Sequence, residues 1–273
     1  MSTPAALLTL HRKAMQIAPA LAAVGIEVQS TEAFDTDTLG TFAGETPRTL
    51  SPLACARAKA QQAIALTGLP LGMGSEGSFG GGPMPGFLNW DEELLLLIDS
   101  RTGQEIIAVA AGPVALSAVE SDNIAVLQAH IAKHDAAQGW ILRYPAGLVK
   151  GLIGEQALVQ ALMQAEIYQA GALLAEKVQL QPDFRAHLCP ARQGYIQQAA
   201  EQLAQRLLAL CPSCQAPDFW RKQAEPGLPC ELCDYPTSQV KYYIKSCNCC
   251  GHKEQEAAAT VFASAVHCPL CNP

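Results

Sequence analysis

Four C-x-x-C pairs lie between residues 211 and 271: Cys211 and Cys214 in CPSC, Cys230 and Cys233 in CELC, Cys247 and Cys250 in CNCC, and Cys268 and Cys271 in CPLC. Nothing else in the chain restricts its fold as tightly. Two residues between the thiols let the backbone close round one cation, with N–H groups turned toward the first sulfur. Eight thiolates complete two tetrahedral zinc sites of four cysteines each. The residue after the second cysteine of a knuckle needs a left-handed backbone, which Gly, Asn and Asp tolerate best. Asp234, Gly251 and Asn272 meet that need, and Gln215 is the exception. Gly251 directly after Cys250 makes Cys250 the ligand and leaves Cys249 a spare thiol.

Two other uses of these cysteines fit less well. Dense disulfides do not persist in the cytoplasm, where this chain is expected because its first residues, MSTPAALLTLHRKAM, lack a signal-peptide pattern. The spacing also lacks the compact C-x-x-C-x-x-C run of a bacterial ferredoxin. Residues 206–273 are therefore expected to form a two-zinc ribbon domain, with metal standing in for a core too small to fold alone. Sequential pairing, 211/214 with 230/233 and 247/250 with 268/271, is preferred over nested pairing, although the strand-like SQVKYYIKS between the second and third knuckles suits the nested one.

Charge argues against nucleic acid as a partner. The whole chain carries a formal −7, and residues 211–273 hold five Lys/Arg against six Asp/Glu, whereas nucleic-acid binding needs a basic face. Trp220, Tyr242 and Tyr243 are read as packing residues rather than base-stacking ones. No apolar run approaches the ~18 residues of a membrane span, so no membrane role is expected. What remains for the ribbon is a protein partner.

Residues 1–205 alternate helix and strand signals. SPLACARAKAQQAIALTG has Ser51 as N-cap, Pro52 at the first helical position and Gly68 as its stop. Helical periods also run over 119–139, 154–171 and 189–210. Strands are expected at 25–30, 69–74, 92–99, 105–112 and 139–145, with a hairpin turn in DSRTGQE. The expected class is α/β with a mixed sheet. GMGSEGSFGGGPMPGF, residues 72–87, holds seven glycines and one charge, Glu76. Placed after a strand, it reads as a loop whose backbone approaches a phosphate-bearing ligand, with Glu76 holding Mg2+. His130 and His134, four apart, are read as a solvated helix face. Asp91, Glu92 and Glu93 are read as the solvated entrance of a strand, and Cys55 as a small core residue.

The runs LTLHRKAMQIAPALAAVGIEV (8–28) and ARAKAQQAIALTGLPLGMGSEGSFG (56–80) resemble the inosine/xanthosine triphosphate pyrophosphatase-like superfamily. The likeness covers about residues 5–80. It implies a pyrophosphatase-like α/β domain, a nucleotide substrate and Mg2+. By that resemblance Thr9, His11 and Lys13 contact the triphosphate. Glu76, assisted by Glu45, is the metal-binding or catalytic acid, and Ser75 and Gly77 line the same loop. Arg185, His187 and Arg192 parallel a cluster that holds the base and phosphates. The chain departs from the pattern where His11 replaces an asparagine, where Lys13 arrives one residue early, and where paired aspartates are reduced to Ser75 and Glu76. Taken whole, the chain resembles an uncharacterised bacterial family that joins such a domain to a GLPC-x-x-C…C-x-x-C-G…C-x-x-C-N-P tail. The alternative to a hydrolase is a non-catalytic zinc-ribbon adaptor with a vestigial pocket.

Overall fold

The computed structural model describes residues 2–9, 12–33, 50–80, 82–83, 89–169, 172–173 and 177–273. They form two compact units, Met1–Leu203 and Ala204–Pro273.

The first unit opens with β1 (Thr3–Leu8), α1 (Ala14–Ala22), β2 (Ile26–Thr31), α2 (Pro52–Thr67), β3 (Leu71–Phe79), β4 (Trp90–Asp99) and β5 (Gln104–Pro113). The five strands make one sheet in the order β2-β1-β3-β4-β5. β1 runs parallel to β2 and β3, and β3, β4 and β5 are antiparallel neighbours. The expected mixed sheet is present, and β4 and β5 are joined through DSRTGQE.

β4 reads as an unbroken apolar run because it is buried on both sides. Leu94, Leu96 and Ile98 pack on Ala56 and Ala60 of α2, and Leu95 and Leu97 are buried on the opposite face. α2 begins as its sequence requires. The Ser51 hydroxyl accepts from Ala54 N at 3.2 Å, Pro52 occupies the first turn, and Gly68 ends the helix at φ 70°.

The glycine-rich stretch departs from expectation. Instead of ending at residue 74 and giving way to a loop, β3 continues through Ser75, Glu76 and Gly77 to Phe79. A Cβ on Gly72 would lie 2.3 Å from Ala60 O, and one on Gly74 would lie 1.9 Å from Ala56 O. These two glycines are there so that α2 can lie directly on the strand, a close helix–sheet approach rather than an approach to a ligand.

The first unit continues with β6 (Val119–Ser121), α3 (Ile124–Ile131), β7 (Gly139–Tyr144), β8 (Gly147–Ile153), α4 (Gly154–Gln164), β9 (Tyr168–Gln169), β10 (Ala172–Leu173) and β11 (Val178–Pro182). A second, antiparallel sheet in the order β6-β11-β7-β8 shares a core with α3 and α4, built on Trp140, Leu127, Leu142, Leu158 and Leu180. His130 and His134 are not simply solvated, because both rings pack on Trp140, with centroids 5.1 and 5.3 Å away. α5 (Pro190–Leu208) follows.

The second unit is a three-stranded antiparallel meander of β12 (Trp220–Pro226), β13 (Val240–Ser246) and β14 (Lys253–Ala257). Its buried apolar residues are few: Cys211, Phe219 and Cys247 with Ala216 packed beside them, and Leu228, Cys230, Ala263 and Cys268. No helix of the described residues is long and apolar enough to cross a membrane.

Candidate functional site

The meander decides which cysteines meet. Trp220 of β12 faces Ser246 of β13, and Pro226 faces Val240. Ser246 in turn faces Lys253 of β14, and Tyr242 faces Ala257. Cys211 and Cys214, which precede β12, therefore share one sheet end with Cys247 and Cys250, which lie between β13 and β14. Cys230 and Cys233, between β12 and β13, share the other end with Cys268 and Cys271, which follow β14. The pairing is interleaved, first knuckle with third and second with fourth. The sequential pairing expected from spacing is incorrect, and so is the nested rival. The seven residues of β12, about 20 Å at ~3.3 Å each, hold the first two knuckles apart.

In each set all four sulfurs lie within 4.8 Å of one another. Cys211–Cys250 and Cys214–Cys247 are separated by 3.7 and 3.6 Å, and Cys230–Cys271 and Cys233–Cys268 by 3.9 and 3.6 Å. A tetrahedral ion with Zn–S bonds of about 2.3 Å places its sulfurs about 3.8 Å apart. All eight thiols are free. The two sets can each hold one metal ion, and their donors and spacing suit zinc.

Three knuckles share one backbone pattern. Cys211 N, Cys230 N and Cys247 N donate to Ala216 O, Tyr235 O and His252 O, while Gln215 N, Asp234 N and Gly251 N donate back to the first cysteine's carbonyl. Gln215, Asp234 and Gly251 have φ of 61°, 58° and 75°. Gln215 thus takes the left-handed conformation that its residue type argued against. Asn272 does not; its N donates to Cys268 O and its side chain to Val266 O. Cys249, the spare thiol, is exposed, and its N–H points at Cys247 Sγ from 3.3 Å.

The backbone favours thiolate at Cys247 and at Cys268. The N–H groups of Cys250 and Cys249 hold Cys247 down to about 6. Against desolvation, those of Cys271 and Leu270 hold Cys268 down to about 7. The Cys233 sulfur beside it pushes Cys271 up to about 12. Four adjacent thiols do not ionise together unaided, and a divalent cation removes that obstacle.

The first unit holds a second concentration of chemistry, where the carboxyl ends of β1 and β3 lie side by side. Lys13, at the start of α1, is buried and donates to Ser75 Oγ at 3.0 Å and to Glu93 Oε2 at 3.2 Å. Arg192 of α5, 1% exposed, donates through Nε to the other oxygen of Glu93 and through Nη1 to Phe184 O. On the α2 side of the sheet, Lys59 pairs with Glu76. Gly77 leaves the room that the Glu93–Arg192 pair fills, since a Cβ there would lie 2.3 Å from Arg192 Nη2 and 2.5 Å from Glu93 Oε1.

Asp91, two residues from Glu93 on the same face of β4, is 0% exposed. Neither of its carboxyl oxygens has a hydrogen-bond partner among the described residues. Burial first, then the charge of Glu93, pushes it up to about 7. Burial also lowers Lys13, against the pull of Glu93. Lys13 and Arg192 thus share buried Glu93 on one face of the sheet, with Asp91 beside them, while Lys59 holds Glu76 on the other.

The sequence-based site residues divide accordingly. Lys13, Ser75, Gly77 and Arg192 come together on one face of the sheet, and Glu76 lies on the other with Lys59. Thr9 is buried at the end of β1. Arg185 is engaged elsewhere, donating to both carboxylate oxygens of Asp183. His187 is lowered by burial and then by Arg185 and Arg12, which places it with those arginines. His11 and Glu45 lie outside the described residues. Asp91 and Glu93 are not a solvated strand entrance, because the alternation that buries Leu95 and Leu97 carries both acids inward. Lys59, Asp91 and Glu93 were missed as site residues. The apolar alternation of β4 could have revealed the two acids, and the position of Lys59 between the buried Ala56 and Ala60 could have revealed the lysine.

No curated protein and no solved structure matches the chain, so the likeness of residues 5–80 to the pyrophosphatase-like superfamily rests on the residues quoted for it. A family model does match, over residues 59–273. That span takes in β3, β4, Arg192 and all four knuckles, and it places the chain in the family defined by DUF6671, a domain of unknown function.

Proposed function

We propose that the first unit binds a phosphoanhydride of the nucleotide class beside the carboxyl ends of β1 and β3 and hydrolyses it, while the second unit is held together by two zinc ions. The observation that carries the first part is the charge gathered on both faces of the carboxyl half of β3, Lys13 and Arg192 with Glu93 and Ser75 on one face and Lys59 with Glu76 on the other. Buried charges cost several kcal/mol each unless something repays them, and strongly perturbed groups concentrate where chemistry is done. An anion beside Lys13 restores the charge that burial weakens.

In this reading Lys13 and Lys59 neutralise phosphate oxygens and the Ser75 hydroxyl orients one of them. Glu76, released by Lys59 when the ligand draws that lysine away, becomes the acid that can hold Mg2+. Mg2+ held there would supply Lewis-acid polarisation of a phosphoryl oxygen. Water adds to phosphorus as the anhydride P–O bond breaks; the leaving phosphate keeps the electron pair, and the proton that water loses passes to it or to solvent. The engagement of Glu76 by Lys59 favours a second reading, in which the site binds its ligand without turnover and the protein serves as an adaptor.

One assay separates the two. Zinc-loaded protein with Mg2+ is incubated with a panel of nucleoside di- and triphosphates, and released phosphate and pyrophosphate are measured. Turnover of at least one nucleotide, abolished in Glu76→Gln, is expected. Release from none of them overturns hydrolysis and leaves binding.

A further inference from the structure

The two ends of the second unit's sheet differ in character. Residues 227–239 and 258–273, which carry Cys230, Cys233, Cys268 and Cys271, contain no Lys or Arg and two acids, Glu231 and Asp234. Leu232, Tyr235, Val261, Phe262, Val266 and Leu270 are all there, between 43% and 74% exposed. Single exposed apolar residues are ordinary, but a patch of several hundred Å2 on a small unit marks an interaction site.

The other centre provides an internal control. The residue before the second cysteine of a knuckle is Ser213 or Cys249 at the Cys211 centre, and Leu232 or Leu270 at the Cys230 centre. The knuckle backbone does not require leucine, since 211–214 and 230–233 share the same hydrogen bonds. The leucines are therefore not there to build the metal site.

The lobe is also stiff. Cys230 bridges to Ala263, Glu231 N donates to Ala263 O and Ala263 N to Pro229 O, Ala265 N donates to Glu231 Oε1 at 3.0 Å, and Asn272 Nδ2 to Val266 O at 3.0 Å. Side chains on a braced scaffold lose little freedom on binding. The charge is one-sided, because four thiolates around a divalent cation leave an excess of negative charge that Glu231 and Asp234 reinforce.

We propose that the lobe around Cys230, Cys233, Cys268 and Cys271 docks a protein segment whose apolar side chains alternate with Lys or Arg. The apolar residues would cover Leu232 and Leu270, and the cations would meet Glu231 and Asp234. This inference stands apart from the phosphate reading of the first unit.

The probe is a displayed library of random twelve-residue peptides, selected on the full zinc-loaded chain. Enriched peptides that combine Leu, Ile, Phe or Trp with Lys or Arg are expected. Their affinity, measured by fluorescence anisotropy, should fall at least tenfold in Leu232→Ser/Leu270→Ser and several-fold in Asp234→Asn, and should weaken with salt. Ser213→Leu should leave it unchanged. Metal content of two per chain certifies each variant, and Phe262→Ser/Val266→Ser replaces the leucine pair if that pair loses metal. No enrichment, peptides without basic residues, or equal binding by the serine variant overturns the proposal. So does a library-selected single-stranded oligonucleotide that binds this lobe in place of any peptide.

Discussion

Gly77 has no side chain because Arg192 and Glu93 fill the space. A Cβ at residue 77 would lie 2.3 Å from Arg192 Nη2. Gly77→Ala should therefore push the ion pair apart and destabilise the first unit by about 1–3 kcal/mol. Gly74→Ala, whose obstacle is the backbone oxygen of Ala56 at 1.9 Å, should cost at least as much. Gly194→Ala, in α5 with nothing near its Cβ position, should be neutral or stabilising by up to about 1 kcal/mol. Urea melts of the three variants check the order.

Asp91 should make stability depend on pH. Its folded carboxyl is raised from 3.8 to about 7, so the folded chain holds a proton that the unfolded chain releases. Its contribution is complete below about pH 4 and is lost as pH rises through about 7, a swing of up to ~4 kcal/mol for a group this deeply buried. Asp91→Asn stays neutral throughout. Relative to the parent protein, the variant should gain stability as pH rises from 4.5 to about 7 and level off above it, as read by thermal melts from pH 4.5 to 8.

Glu93 pairs with two buried cations. Glu93→Gln removes the carboxylate that Lys13 and Arg192 share and should cost about 3–5 kcal/mol. Lys13→Met should cost less, since Arg192 keeps Glu93 as its partner. Denaturant melts at pH 7 compare the two.

Interleaved pairing has a direct chemical signature. In Cys214→Ser, metal content should fall from two ions per chain to one, and Cys247 and Cys250 should become open to alkylation while Cys230 and Cys233 stay protected. Cys249→Ser should keep both ions. Peptide mass spectrometry after alkylation reads the outcome, and sequential pairing would instead expose Cys230 and Cys233.

The knuckles were legible because C-x-x-C spacing is set by a single ion. Their pairing was not, because it depends on which sheet end each knuckle reaches. That required β12 and β14, whose mostly exposed residues WRKQAEP and KEQEA lack the alternation that marks a half-buried strand. β13 was visible, but one strand does not reveal what lies at either end. The helices from Ser51 and from Pro190 were readable through their caps and breakers. β3 was read as half strand and half loop because glycine ordinarily signals a turn. In this chain Gly72 and Gly74 answer to α2 and Gly77 to Arg192, partners that lie far away in sequence. Glu76 was named as the single charge of the glycine-rich stretch, and Lys13, Ser75 and Arg192 through the resemblance. Asp91 and Glu93 escaped because acids at a strand's start are solvated by default, and only counting back by twos from Leu97 turns them inward.

The measurement that bears most directly on the phosphate site is thermal stability of the zinc-loaded chain with nucleoside triphosphates and with pyrophosphate, each with and without Mg2+. A ligand at a hundred times its Kd adds about 2.7 kcal/mol, several degrees for a unit of this size. The account predicts such a rise with at least one of these anions, and its loss in Lys59→Ala. No rise with any of them, or an equal rise in Lys59→Ala, would contradict the assignment of a ligand site at the carboxyl half of β3 that Lys59 helps to form.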